Sequence, residues 1–295
     1  MNSCLKYASM STSADFVRLV RDTESGVEAI RAGFYAHAYD LHRHNDWLVG
    51  ATEHGLQDFF CRGKRHRSTP GRVILIEPQE QHDGDAGNSE GFIYSMLYLP
   101  QPWLRTELGF ARDASLGFRT TLTDDPHLAV AIRRACAALD ARADRLTRDA
   151  VLDNVLCSIR VHLGLRATVD AVWAPAVARR AHERLLDDLT EDISADALAR
   201  EVGASDRFQL ARAFRAAYGT SPHSYRVQMR LMNARRLLAQ GERPAAVAAA
   251  CGFADQSHLG RWFRRAFGLT PGAYRSCCTG VPDTYAMPGS NIPLR

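Results

Sequence analysis

Between Val27 and Leu99 the apolar positions come in short runs, at 27–35, 36–41, 47–52, 57–61, 73–76 and 92–99. Turn formers separate them: Gly55, Gly63, Pro70-Gly71, Pro78, Gly84 and Gly91. Runs this short and closely spaced predict strands of a small antiparallel sandwich or barrel. Residues 1–28 read as a polar arm leading into the first of them. After Pro100 the spacing changes to threes and fours. Leu128, Ile132, Ala135 and Leu139 form one stripe behind the start signal Asp124-Asp125-Pro126, and Leu152, Leu156, Ile159 and Leu163 form another, so two amphipathic helices are expected.

Residues 166–175 have no strong periodicity and read as a linker. A helix is expected at 176–189, then a helix-turn-helix pairing 195–202 with 206–217 through Gly203, where the turn needs positive φ. Ser221-Pro222 opens a long helix running to about Gln240, an N-cap followed by proline at the first helical position. Gly241 ends it, Pro244 starts a short helix, and an Ala-rich run closes at Gly252. Asp255 then caps a helix carrying Leu259, Trp262, Phe263 and Phe267 before Gly268. The segment 279–295, rich in Pro, Gly and Ser, reads as a disordered tail.

The two helix-turn-helix segments are one pattern written twice. Gly203, Asp206, Leu210, Arg212, Phe214, Arg215, Gly219, Pro222, Tyr225 and Arg226 recur 49 residues later as Gly252, Asp255, Leu259, Arg261, Phe263, Arg264, Gly268, Pro271, Tyr274 and Arg275. In each second helix the apolar pair faces inward, which turns Arg207, Phe208, Ala211, Arg212 and Arg215, and Gln256, Ser257, Gly260, Arg261 and Arg264, outward. Such donors suit base edges and phosphates. Arg212 and Arg261 are the expected bidentate readers of guanine, Gln256 of adenine, and Phe208 and Ala211 of thymine methyl groups; Arg207, Ser257 and Gly260 complete the base-reading faces. Arg215 and Arg264, one turn on, are expected on phosphates. The competing reading of each arginine is a phosphate contact or a solvated charge.

These residues resemble the AraC/XylS-type transcriptional regulators, whose signature is matched by Gly-Phe-x-Asp-Gln-Ser-His-Leu followed by Arg-x-Phe-Arg-Arg-x-Phe-Gly-x-Thr-Pro-x-x-Tyr-Arg across 252–275. The resemblance implies a regulator binding double-stranded promoter DNA, an N-terminal sensor for a small-molecule effector, dimerisation through the helical pair, and activation by contact with RNA polymerase. The expected architecture is α+β: a cupin-like antiparallel barrel with a helical pair over 1–165, a linker at 166–175, and an all-α DNA-binding domain over 176–278.

Charge agrees. The net charge is only +4, yet 205–275 holds twelve arginines against three acids, so the remainder is acidic on balance. With 295 residues and 46% hydrophobic content the chain can bury two cores. It has no apolar run of about 18 residues and no secretory signal, so no membrane association and a cytoplasmic address are expected. Seven scattered cysteines without a Cys-x-x-Cys pair indicate neither a disulfide framework nor a thiolate zinc site.

The N-terminal half carries its own candidate chemistry. His42-Arg43-His44 sets two imidazoles on one face of a strand. Pro70-Gly71, Glu77-Pro78 and His82 follow at a spacing similar to the second cupin motif. Cupin enzymes hold a divalent metal with three histidines and a glutamate. Here the positions four and five after His44 are Leu48 and Val49, with Glu53 farther on. Three readings of His42, His44 and His82 stay open: metal ligands, a small-molecule pocket, or structural hydrogen bonding. Trp47 and Tyr94 are candidate pocket walls or ordinary core. The reading adopted is a regulator without catalysis or cofactor; a metal-dependent cupin enzyme fused to a DNA-binding domain, and an architectural DNA binder, are the alternatives.

Overall fold

The computed structural model describes residues 15–111, 115–165 and 175–279; the expected linker and tail lie outside them except for Pro175 and Thr279. The N-terminal half begins with β1 (Phe16–Arg21), β2 (Glu28–Phe34), β3 (His37–His42), β4 (Trp47–Gly55), β5 (Gln57–Cys61), β6 (Lys64–Ser68), β7 (Val73–Ile76), β8 (His82–Ala86) and β9 (Phe92–Leu99). There follow α1 (Gln101–Leu108), β10 (Leu116–Phe118), β11 (Leu122–Thr123), α2 (Pro126–Asp140), α3 (Arg145–Ile159) and β12 (Leu163–Leu165).

The strands make a six-stranded sheet in the order β1-β2-β9-β4-β7-β11 and a four-stranded sheet in the order β3-β8-β5-β6, with β10 and β12 paired separately. All of these pairings are antiparallel. The expected barrel is therefore two sheets over a shared core, not a closed ring of strands. Two further expectations change. β1 lies in the stretch expected as an arm, because its mixed FVRLVR pattern buries only Leu19 fully. Leu163 continues the second helical stripe in sequence, but the helix ends at Ile159 and Leu163 pairs with Phe118 in a strand.

Both faces of the larger sheet are buried, which is why β4, β7 and β9 read as nearly continuous apolar runs. Leu48, Ile74, Ile76, Tyr94, Met96 and Tyr98 point to the smaller sheet. Their neighbours Trp47, Val49, Val73, Leu75, Leu97 and Leu99 point to the other side, as a period of two requires. That outer layer is closed by Leu128, Ile132, Ala135 and Leu139 of α2 and Leu152, Leu156 and Ile159 of α3. Asp125 and Asp144 cap the two helices, accepting from the Leu128 and Thr147 backbone N–H at 3.0 and 3.1 Å.

The helical half comprises α4 (Ala176–Asp187), α5 (Ala195–Glu201), α6 (Arg207–Tyr218), α7 (Pro222–Ala239), α8 (Pro244–Ala250), α9 (Gln256–Phe267) and α10 (Pro271–Thr279). Its two helix-turn-helix units are not built alike. Around α5 and α6 the first has a core of its own, from Leu185, Leu198, Leu210, Phe214, Tyr225 and Met229. The second, around α8 and α9, has a core continuous with the sheets: Leu259, Phe263, Phe267 and Tyr274 belong to the same apolar cluster as Phe34, Tyr94 and Tyr98. α7 serves both, giving Tyr225 and Met229 to the first and Val227, Leu231, Ala234 and Leu238 to the second.

Candidate functional site

The sequence repeat is reproduced in backbone angles. Asp206 and Asp255 cap α6 and α9 at φ −160°, each accepting a backbone N–H three residues on at 2.6 Å. Gly219 and Gly268 end the same helices in left-handed geometry at φ 72° and 70°. The turn glycines Gly203 and Gly252 stand at φ 71° and 72°. Phe214 meets Tyr225 at 5.6 Å between ring centroids, and Phe263 meets Tyr274 at 5.5 Å. The recurring arginine is structural in both copies. Arg226 donates to the Glu191 carbonyl and Arg275 to the Gly241 carbonyl, each tying down the chain just beyond a preceding helix.

On α6, Arg207, Phe208, Arg212 and Arg215 are exposed and Ala211 half-buried; on α9, Gln256, Ser257, Arg261 and Arg264 are exposed and Gly260 half-buried. Arg212, Arg215, Arg261 and Arg264 make no ion pair among the described residues, and nothing crowds the space a Gly260 side chain would take. These are charges held out to solvent. Arg207 is less free, lying 3.6 Å from Asp196 and over the Phe208 ring. Phe208, 59% exposed, also walls a largely apolar groove of about 430 Å³ with Leu185, Ile193 and Leu198. That groove, larger than the cavity of about 30 Å³ beside His42 and His82, gave no sign in the sequence. The count of twelve arginines overstates the outer charge, because Arg226, Arg230, Arg235, Arg265 and Arg275 are engaged within the protein.

The seam between the halves is polar at its centre. Glu28, on β2 and 2% exposed, accepts from Arg235 of α7 at 2.6 Å, from the Tyr274 hydroxyl of α10 at 2.6 Å and from Arg21 at 2.8 Å. Burial alone would push its carboxyl up; the Arg235 charge, the Tyr274 hydrogen bond and Arg21 outweigh that and hold it below its ordinary 4.5. Arg235 also reaches Asp46 at 2.7 Å and lies over the Tyr98 ring. Flanking contacts run from Arg265 to Asp40 at 2.5 Å and from Arg43 to the Tyr218 carbonyl at 2.8 Å. Glu28, Arg235 and Tyr274 carry no motif that marks them as partners; the one hint was an acid inside an apolar strand.

His42, His44 and His82 come together beside this seam, all buried. His42 Nδ1 lies 2.6 Å from the Asp40 carbonyl and His82 Nδ1 2.9 Å from the Glu80 carbonyl. A carbonyl only accepts, so both rings carry their proton on Nδ1 and leave Nε2 bare. His44 Nε2, 2.9 Å from His42 Nε2, must then be the donor of that pair, and His44 Nδ1 is left buried without a partner. Burial pushes all three well toward the neutral form, His82 down to about 4. Phe267 of α9 closes the cluster, its ring 5.5 Å from His44 and 6.1 Å from His42.

Next to the rings is a cavity of about 30 Å³ lined by Tyr39, His42, Gln57, His82, Asp83 and Tyr94 among others. Tyr94 thus reaches the pocket wall, its hydroxyl 2.7 Å from that of Tyr39. Trp47 does not. It points through the opposite face of the sheet and packs edge-on against Phe118 at 5.0 Å, because its strand position has the other parity from Leu48. Glu53 cannot replace the missing cupin glutamate, since it is bound to Arg31 at 2.8 Å and to Ser95. The residues present offer three neutral nitrogens and no ligating carboxylate, a set that differs from the cupin enzyme centre.

Residues 24–156 match the AraC-like ligand-binding domain, and residues 198–276 match a helix-turn-helix domain that spans both units described above. The chain belongs to the AraC family of transcriptional regulators. This regulator is 23% identical over 230 residues to YbfI of Bacillus subtilis, an uncharacterised transcriptional regulator of the helix-turn-helix type, covering 77% of this chain and 83% of that one. Its fold is shared with ToxT of Vibrio cholerae solved with an unsaturated fatty acid bound, at TM-score 0.51 and 13% identity over 92% of this chain and 98% of that one. An apo variant of ToxT from the same organism gives TM-score 0.51 at 12% identity, over 91% and 99%. It is thus an AraC-type regulator with a ligand-binding-type N-terminal half and a helix-turn-helix DNA-binding half. No helix among the described residues is long and apolar enough to cross a membrane.

Proposed function

We propose that this regulator is a cytoplasmic one-component switch in which α6 and α9 read successive major grooves of one promoter, and a small molecule bound in the N-terminal half alters how α9 is presented. The observation that carries the reading is the duplicated outer face: Arg212 and Arg215 on one helix, Arg261 and Arg264 on the other, unpaired among the described residues and matched 49 positions apart. Arg212 and Arg261 take base edges and Arg215 and Arg264 take phosphates, with Arg207, Phe208, Ala211, Gln256, Ser257 and Gly260 completing the two faces. Regulation enters through the seam, which fixes the C-terminal end of α9 by Arg265–Asp40 and Phe267 while leaving its outer face free.

The regulator acts as a homodimer and activates by engaging RNA polymerase. The quoted stripes of α2 and α3 are buried in the chain's own core, so a dimer would use the other side of this layer, where Leu146 and Val161 are 80% and 69% exposed. The cavity beside His42 and His82 is water-sized, and a ligand as long as the fatty acid of ToxT would have to part the sheets. An enzymatic role of the cupin type lacks its glutamate, Glu53 being tied to Arg31. Footprinting across the DNA flanking the gene tests the reading: two protected patches about one helical turn apart are expected. Uniform protection of any duplex would overturn it.

A further inference from the structure

We propose that His42, His44 and His82 form a binding site for a divalent transition-metal ion of the zinc type, set against the seam where α9 docks. One ligand nitrogen from each ring lies within 4.8 Å of the others. Imidazole nitrogens around an ion bound at about 2.0–2.1 Å sit roughly 3.4 Å apart in a tetrahedron, so the 2.9 Å between His42 and His44 Nε2 opens a little and the widest separation closes by ring rotation.

The surroundings suit an ion. His42 and His82 each have Nδ1 anchored on a backbone carbonyl, the arrangement that fixes the tautomer and turns Nε2 toward a metal. The three rings share a single hydrogen bond, from His44 Nε2 to His42 Nε2, which an ion held by all three would replace; His44 Nδ1 stays buried and unpartnered either way. A second unpartnered buried atom, Gln57 Oε1, belongs to a residue on the wall of the adjoining cavity. That cavity, about 30 Å³, holds one water-sized ligand. Three imidazoles and a water make an open tetrahedral site, with Gln57 on the wall of the same cavity; the Asp83 carboxylate is already taken up by Arg65 and the Phe60 N–H. Neutral nitrogen donors without a ligating carboxylate select zinc, nickel, copper or cobalt over magnesium and calcium.

The proposal names a ligand class for the sensing half and rests on the sensor reading only for its consequence. Phe267 packs on His42 and His44, so drawing the rings onto an ion shifts the contact that seats the end of α9.

The test uses the full-length chain without a histidine tag, stripped with chelator, dialysed against zinc chloride and assayed by elemental analysis, with a parallel cobalt titration followed by visible absorption. One ion per chain is expected, with a cobalt spectrum of a four- or five-coordinate nitrogen site. His44→Gln and His82→Gln should bind about 100-fold more weakly or worse, and His54→Ala, at an exposed imidazole, should bind as the wild type does. Should either cluster variant unfold, paramagnetically shifted histidine resonances in the cobalt-loaded wild type provide a second readout: three rings are expected. Failure to take up zinc, undiminished uptake in folded His82→Gln, or absence of shifted histidine resonances overturns the proposal. Footprinting on the same preparations separates the two readings, since DNA protection without metal uptake defeats this inference and leaves DNA reading intact.

Discussion

Arg235 of α7 sets its guanidinium 2.6 Å from the Glu28 carboxylate of β2, joining positions 207 residues apart in a buried contact. Tyr274 joins the same carboxylate from α10, whereas its repeat equivalent Tyr225 lies 2.8 Å from His182 within its own half. Equivalent positions therefore have different jobs: one closes the first unit on itself, and the other fastens the second unit to the sensing half.

Removing one partner of a buried pair costs more than the pair contributes, because the other charge is stranded. Arg235→Ala should lower unfolding stability by about 3–5 kcal/mol, and Glu28→Gln in the same background should add little further loss. Urea unfolding of the two single variants and the double variant measures this as a cycle. Strict additivity would contradict the direct coupling of the two residues.

The same carboxyl sets a pH dependence. Glu28 titrates below its ordinary 4.5 when folded, so its contribution is complete above that pH and is lost as pH falls from 4.5 through the folded value. Acid unfolding monitored by fluorescence should show a steeper loss below pH 4.5 in the wild type than in Glu28→Gln. Identical slopes would mean the carboxyl is not held ionised.

The turn glycines separate two sources of cost. Both need positive φ, but a β-carbon at Gly252 would lie 2.8 Å from the Thr190 Cα, whereas at Gly203 the nearest atom, 3.3 Å away, is the flexible end of Arg180. Gly203→Ala should cost about 1 kcal/mol and Gly252→Ala about 2–3 kcal/mol or more. Thermal melts of both variants decide this, and equal losses would count against the packing argument.

Much of the helical half was legible because its signals are local. Asp206, Gly219, Asp255 and Gly268 mark helix ends through their own side chains or lack of one, and a second copy 49 residues on confirms the pattern. Six strands, β2 to β5, β7 and β9, were legible as short apolar runs, whereas β1 and the polar β6 and β8 were not. Their arrangement was not, since the pairing of β2 with β9 or of β3 with β8 leaves no trace in spacing. Strand parity explains Trp47: one residue from Leu48, it faces the helices and not the cavity. The seam was hidden for a different reason. Phe267 and Tyr274 read as parts of a self-contained unit, and periodicity cannot say that Phe267 also packs on His42 and His44 or that Tyr274 reaches Glu28.

The central claim is that two arginine-bearing helices read DNA as separate heads. Selection of bound duplexes from a random pool by the wild type, Arg212→Ala and Arg261→Ala tests it most directly. The wild type should enrich a two-part motif with halves about one turn apart, and each variant should lose base preference in a different half at a cost of about 1–3 kcal/mol. An unchanged motif in both variants, or no motif from the wild type, would contradict the account.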